Sequence, residues 1–166
     1  MRFNKRSALA RTAPRALSVL WLTLLSGCTA LSNTSPRGEL RPMSTVSVRY
    51  MVDDVDAAIA FYTTHLGFAL QTDARPAFAA VTRGDLRLLL SGEGSSGARP
   101  MPDGRQPVPG GWSRFQLPVA DLAAEVARLR AAGLRFRNDI VSGVGGSQIL
   151  LDDPSGNPIE LWQPAR

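Results

Sequence analysis

The feature that most constrains this chain is an internal repeat. Thr45 to Val52 alternates, with Val46, Val48, Tyr50 and Val52 on one side and Ser47, Arg49 and Met51 on the other, which is strand periodicity. Asp54 then stands where a helix N-cap is needed, Val55, Ala58, Ile59, Tyr62 and Leu66 keep helical spacing, and Gly67 supplies the C-terminal turn. Phe68–Thr72, Phe78–Arg83 and Leu86–Leu90 read as strands. The same order recurs: an alternating segment Trp112–Val119, a cap at Asp121, a helix carrying Leu122, Val126 and Leu129, a stop at Gly133, then strands Leu134–Ile140, Ser147–Leu151 and Pro158–Gln163. The two caps are 67 residues apart and the two stop glycines 66. Two copies of one βαβββ unit account for this spacing, and 166 residues leave room for one domain built from such a pair.

Between the copies lies Ser91–Gly111, with six Gly and four Pro and no apolar period. A connection of that length is a candidate lid over a cavity.

Residues 1–28 read as an export signal. Arg2, Lys5, Arg6, Arg11 and Arg15 precede the apolar run Ala16–Leu25, which at ten residues is too short to span a bilayer. Leu25-Ser26-Gly27-Cys28 follows and resembles a bacterial lipobox, with Cys28 as the lipid acceptor. Residues 29–44, rich in Ser, Thr, Pro and Arg, read as a tether with a reach of about 20–24 Å. The chain is then expected in the cell envelope, facing the periplasm or exterior. The alternative start, Met43, would make it cytoplasmic. The formal charge of +5 belongs to this leader: five of the 19 basic residues precede Cys28, and all 14 acidic residues follow it. The mature chain is formally neutral, which gives no electrostatic case for nucleic acid.

With the repeat in view, residues 52–62 (Val-Asp-Asp-Val-Asp-Ala-Ala-Ile-Ala-Phe-Tyr) followed by His65-Leu66-Gly67-Phe68 resemble the first helix of vicinal oxygen chelate proteins, the glyoxalase/bleomycin-resistance/extradiol-dioxygenase superfamily. Asp153-Pro154-Ser155-Gly156-Asn157-Pro158-Ile159-Glu160-Leu161 resembles their terminal hairpin. The resemblance covers about Thr45–Pro164 and implies an α+β fold, in which two βαβββ modules form an open, cup-like mixed sheet with the helices outside. In metal-using members one ligand comes from each of four strands. By position these fall on Ser47, on Leu90 or Ser91, on Arg114 and on Glu160, and Glu160 alone is a usual ligand. His65 is the one histidine and sits on the helix. A catalytic zinc needs about three protein ligands, and an iron triad two His and a carboxylate. No metal and no other cofactor is therefore expected, which disfavours glyoxalase I and ring-cleaving activity.

Strand alternation independently points Ser47, Arg49, Arg114, Gln116, Glu160 and Trp162 into the cup. The first expectation is a module that binds a small anionic or planar compound through Arg49, Arg114 and Trp162, with Ser47 and Gln116 beside them. The second is a metal-independent lyase or isomerase with Glu160 as general base and Arg114 stabilising an enolate. The third is an interaction module whose cavity takes no ligand. Against these stand plainer roles: Glu160 and Arg114 as an internal ion pair, His65 as a helix-dipole partner, and Trp162 and Trp112 as core or rim aromatics. The expected partners are a small molecule, a membrane through the lipid anchor and, as an open alternative, a second copy of the chain in a homodimer.

Overall fold

The computed structural model describes residues 46–165, so the leader, Cys28, the tether and Met43 lie outside the described residues. In chain order the elements are β1 (Val46–Met51), α1 (Val55–His65), β2 (Ala69–Ala74), β3 (Phe78–Arg83), β4 (Leu86–Ser91), a short 3-10 turn (Ser96–Ala98), β5 (Phe115–Pro118), α2 (Leu122–Ala131), β6 (Val141–Gly143), β7 (Gly146–Asp152) and β8 (Pro158–Pro164). The strands form two four-stranded sheets, ordered β1-β4-β3-β2 and β5-β8-β7-β6. In each, the first strand runs parallel to the last and the other pairs are antiparallel. The expected α+β fold of two βαβββ modules is the fold observed.

The repeated capping signals act as the sequence suggests. Asp54 Oδ1 accepts from Ala57 N at 3.0 Å, and Asp121 Oδ1 accepts from Ala124 N at 2.9 Å, each satisfying a donor of the first turn. Both helices bury one stripe: Val55, Ala58, Phe61 and Tyr62 in α1, and Leu122, Val126 and Leu129 in α2. These meet the inward faces of the sheets, including Leu88, Leu90, Ile149, Leu151, Ile159 and Leu161, in a single core. An aromatic group joins the modules, with Tyr50 stacked on Phe115 at 5.4 Å and Phe68 edge-on to both Tyr62 and Phe115.

Three expectations need correction. Leu134–Ile140 is not a strand; it keeps one isolated bridge, Phe136 to Leu151, and the short β6 forms beyond it. The cause is local: Leu150 N donates to the Asn138 side-chain oxygen, which takes the place of a ladder acceptor. The first strand of the second module starts at Phe115 rather than Trp112. Arg114 would register with Pro158, which has no N–H to extend the ladder. Val46, on the inward parity of β1, is 63% exposed, because it pairs with Leu86 at the β3–β4 turn, where the core thins.

Candidate functional site

The cup face is set by register. Residues directly opposite one another share a face, so Ser47 aligns with Arg87, Arg49 with Leu89, Met51 with Ser91, Gln116 with Glu160 and Pro118 with Trp162. The six residues anticipated for the cup separate into distinct environments.

Arg114, Gln116 and Glu160 form one cluster. Glu160 is 6% exposed. Its Oε2 accepts from Arg114 Nε at 2.8 Å and its Oε1 from Gln116 Nε2 at 2.6 Å. A buried carboxylate is costly unless paired, and here each oxygen has a donor. Arg114 also donates to the Trp112 carbonyl at 3.3 Å. The plainer role weighed for this pair, mutual neutralisation, is the geometry present.

Arg49 has different company. Its Nη1 donates to Ser91 Oγ, and its guanidinium lies 6.0 Å from the centre of the Phe78 ring. Among the described residues no carboxylate lies within ion-pair distance of it. The linker folds against it closely: a Cβ at Gly97 would sit 2.5 Å from Arg49 Nη1. Ser91 and Ser95 beside this contact are buried, and the Ser95 hydroxyl has no hydrogen-bond partner. Ser47 is exposed at the start of β1. Trp162 is half-buried and lines a separate cavity of about 170 Å³ with the β6–β7 hairpin.

The donor set does not suit a divalent ion. Ser47, Leu90 or Ser91, and Arg114 occupy three of the four positions where the resemblance places ligands, and Glu160 already serves two donors. Among the described residues no three His, Cys, Asp or Glu side chains converge. His65 lies in the last turn of α1, with its ring 5.9 Å from that of Phe61 and its carbonyl accepting from Arg128.

The Asp153–Asn157 turn is where the modules are fastened, a role the sequence reading missed. Asp153 Oδ1 accepts from Ser155 N and Asn157 N, both at 2.9 Å, and Oδ2 accepts from Asn157 Nδ2 at 2.9 Å and from the Tyr62 hydroxyl of α1 at 3.1 Å. Asn157 in turn donates to the Met51 carbonyl and accepts from Gly110 N of the linker. Tyr50 donates to the Pro158 carbonyl at 2.6 Å. Burial pushes the Tyr50 hydroxyl up to about 12. It raises Tyr62 as well, helped by the charge of Asp153, and burial also raises Asp153 against the pull of its four donors. The signal available in the sequence was the pairing of a helical Tyr with an Asp-Pro-Ser-Gly-Asn turn, but nothing local states that they meet. The far end of the linker is held by Arg137, which bonds Asp152 at 2.7 Å and the Gly156 and Gly111 carbonyls and lies 5.1 Å from the Trp112 ring.

The model of the Glyoxalase/Bleomycin resistance protein/Dioxygenase superfamily matches residues 45–161. The chain belongs to this superfamily. Solved structures of similar fold agree with the assignment. A lactoylglutathione lyase from Agrobacterium tumefaciens is 21% identical with a TM-score of 0.59, over 74% of this chain and 95% of that one. TnmS3, an antibiotic binding protein from Streptomyces sp. CB03234, is 27% identical with a TM-score of 0.57, over 73% and 95%. A superfamily member from Sphaerobacter thermophilus is 24% identical with a TM-score of 0.59, over 72% and 95%. No curated protein matches the chain. The superfamily scaffold carries enzymes and binding proteins alike, so function rests on the side chains just described.

Proposed function

We propose that this glyoxalase-like domain is a metal-free binding module for a small anionic or planar compound, held in the cup through Arg49 beneath the linker. The observation that carries the reading is the state of the two cup arginines. Arg114 is committed to Glu160, whereas Arg49 is bonded to a neutral hydroxyl and keeps donors free for a carboxylate or phosphate. The Phe78 ring beside Arg49 suits a planar body. The similarity to TnmS3, described as an antibiotic binding protein, supports a binding role. Titration of the purified protein with benzoate, before and after treatment with EDTA, tests the reading: binding that survives chelation and weakens in Arg49→Ala supports it.

A metal-independent lyase or isomerase with Glu160 as base is the second reading, favoured by the burial of that carboxylate. It requires turnover that Glu160→Gln abolishes while ligand binding persists. We also propose that the chain is lipid-anchored at Cys28, on the order of basic residues, apolar run and lipobox in the leader. Mass spectrometry of the native N-terminus decides it: a lipidated Cys28 supports the proposal, and a chain beginning at Met43 or Ser44 ends it.

A further inference from the structure

A cavity of about 430 Å³ lies at the C-terminal ends of β1 and β4, roofed by the second half of the linker. None of the six residues anticipated for the cup lines it. Its floor includes Met51 and Val52, and its roof is the apolar run Pro107–Pro109. Two acidic residues, Asp53 and Glu93, line it from the segments just beyond the ends of the neighbouring parallel strands β1 and β4; both are exposed, and no Lys or Arg lines it. Among the described residues neither carboxylate accepts a hydrogen bond or enters an ion pair; the one bond of Asp53 is from its backbone N to Ser155 Oγ. Most other carboxylates that line clefts here do have a partner: Asp152 has Arg137, Asp153 has Tyr62 and Asn157, and Glu125 has Arg128. Val108, between the two prolines, is 71% exposed, an apolar side chain left uncovered at this cavity.

We propose that this cavity binds a protonated amine carried on an apolar body. Its volume falls within the usual range for small-molecule pockets, which pair apolar walls with a few polar groups that fix orientation. Against the one cation bonded to its wall, Arg49, the cavity sets two acidic residues, so an ammonium is favoured over a carboxylate of the same shape, and the ligand body covers Val108 and the proline wall. Ser91 connects the cavity to the neighbouring region, because it lines the cavity and accepts from Arg49. The two sites adjoin at Ser91, but the amine proposal rests on Asp53 and Glu93 and the anion reading on Arg49, so each is tested by its own substitutions.

The experiment compares three ligands of nearly equal shape, benzylamine, benzyl alcohol and benzoate, titrated into the full-length protein at low salt with backbone amide shifts recorded. The expected result is that benzylamine binds more tightly than the alcohol and shifts Gly92, Ala98 and Val108. The double variant Asp53→Asn/Glu93→Gln is expected to weaken benzylamine about tenfold, about threefold for each exposed carboxylate, while leaving benzyl alcohol unchanged. Added salt should reduce the preference for the amine, because exposed charges are screened. Equal binding of the amine and the alcohol, no benzylamine binding at millimolar concentration, or unchanged affinity in the double variant would each overturn the proposal. The benzoate titration, with its dependence on Arg49, reports separately on the anion site.

Discussion

Asp153→Ala should be the most damaging single polar substitution in the domain. The aspartate accepts four hydrogen bonds, from Ser155 N, Asn157 N, Asn157 Nδ2 and the Tyr62 hydroxyl. Tyr62 is fully buried and Asn157 is 2% exposed, so water cannot easily replace the lost acceptor at either. A buried donor left unpaired costs about 1–3 kcal/mol. The Tyr62 hydroxyl loses its sole partner among the described hydrogen bonds, and Asn157 Nδ2 keeps the Met51 carbonyl. The Ser155 amide is half-buried and recovers part of its loss in water. Together these predict a destabilisation of about 3–5 kcal/mol, a large share of the roughly 5–15 kcal/mol available to a typical domain. Equilibrium urea unfolding measures it. The reasoning also fixes a coupling. In Asp153→Ala/Tyr62→Phe the orphaned hydroxyl is gone, so the double variant should be less destabilised than the sum of the singles by about 1–2 kcal/mol. A single-variant loss under about 1 kcal/mol, or strict additivity of the pair, would show that Asp153 does not fasten the modules as described.

Three further outcomes follow from the same geometry. Tyr50 has its hydroxyl raised to about 12 from the ordinary value near 10, so the folded chain keeps a proton that the unfolded chain loses. Its stabilising contribution is full below pH 10 and fades as pH rises toward 12, by roughly 2–3 kcal/mol, and Tyr50→Phe should flatten the melting-temperature profile between pH 10 and 12 relative to wild type. Gly146→Ala should prevent normal folding or lower Tm sharply, because a Cβ there would lie 2.1 Å from the Gln163 carbonyl oxygen at a φ of +139°; a Tm within a degree or two of wild type would refute the close approach of β7 and β8. Glu160→Gln removes the charge that occupies Arg114, so it should strengthen benzoate binding about threefold in calorimetry and cost only about 1 kcal/mol of stability, since Arg114 can be rehydrated.

Much of the fold was legible because the signals were local and repeated. Asp54 and Asp121 cap helices wherever the chain goes next, and the alternation in β1 and β5 leaves little choice of face. The strand expected over Leu134–Ile140 failed because propensity says nothing of Asn138 reaching across to Leu150. The cup was only partly legible. Parity put Gln116 and Glu160 on one face but not opposite each other, which the strand register decides, and the ion pair of Glu160 with Arg114 was already one of the weighed roles. Parity could not say that Arg49 and Arg114 would stand in different surroundings, since that depends on the linker settling at Gly97. The Asp153 junction and the amine cavity were illegible for the same reason. Both are made by segments far apart in sequence, and neither Asp53 nor Glu93 carries a motif.

The central claim is that Arg49, without a metal, anchors an anionic ligand in the cup. The most direct test is calorimetric titration of benzoate into EDTA-treated wild-type protein and Arg49→Ala. The account predicts that chelation leaves the wild-type affinity unchanged and that Arg49→Ala weakens it at least about tenfold, as expected for loss of a charge-assisted hydrogen bond of about 1.5–3 kcal/mol. Affinity that disappears on chelation and returns with a divalent ion, or that is the same in wild type and Arg49→Ala, would contradict it.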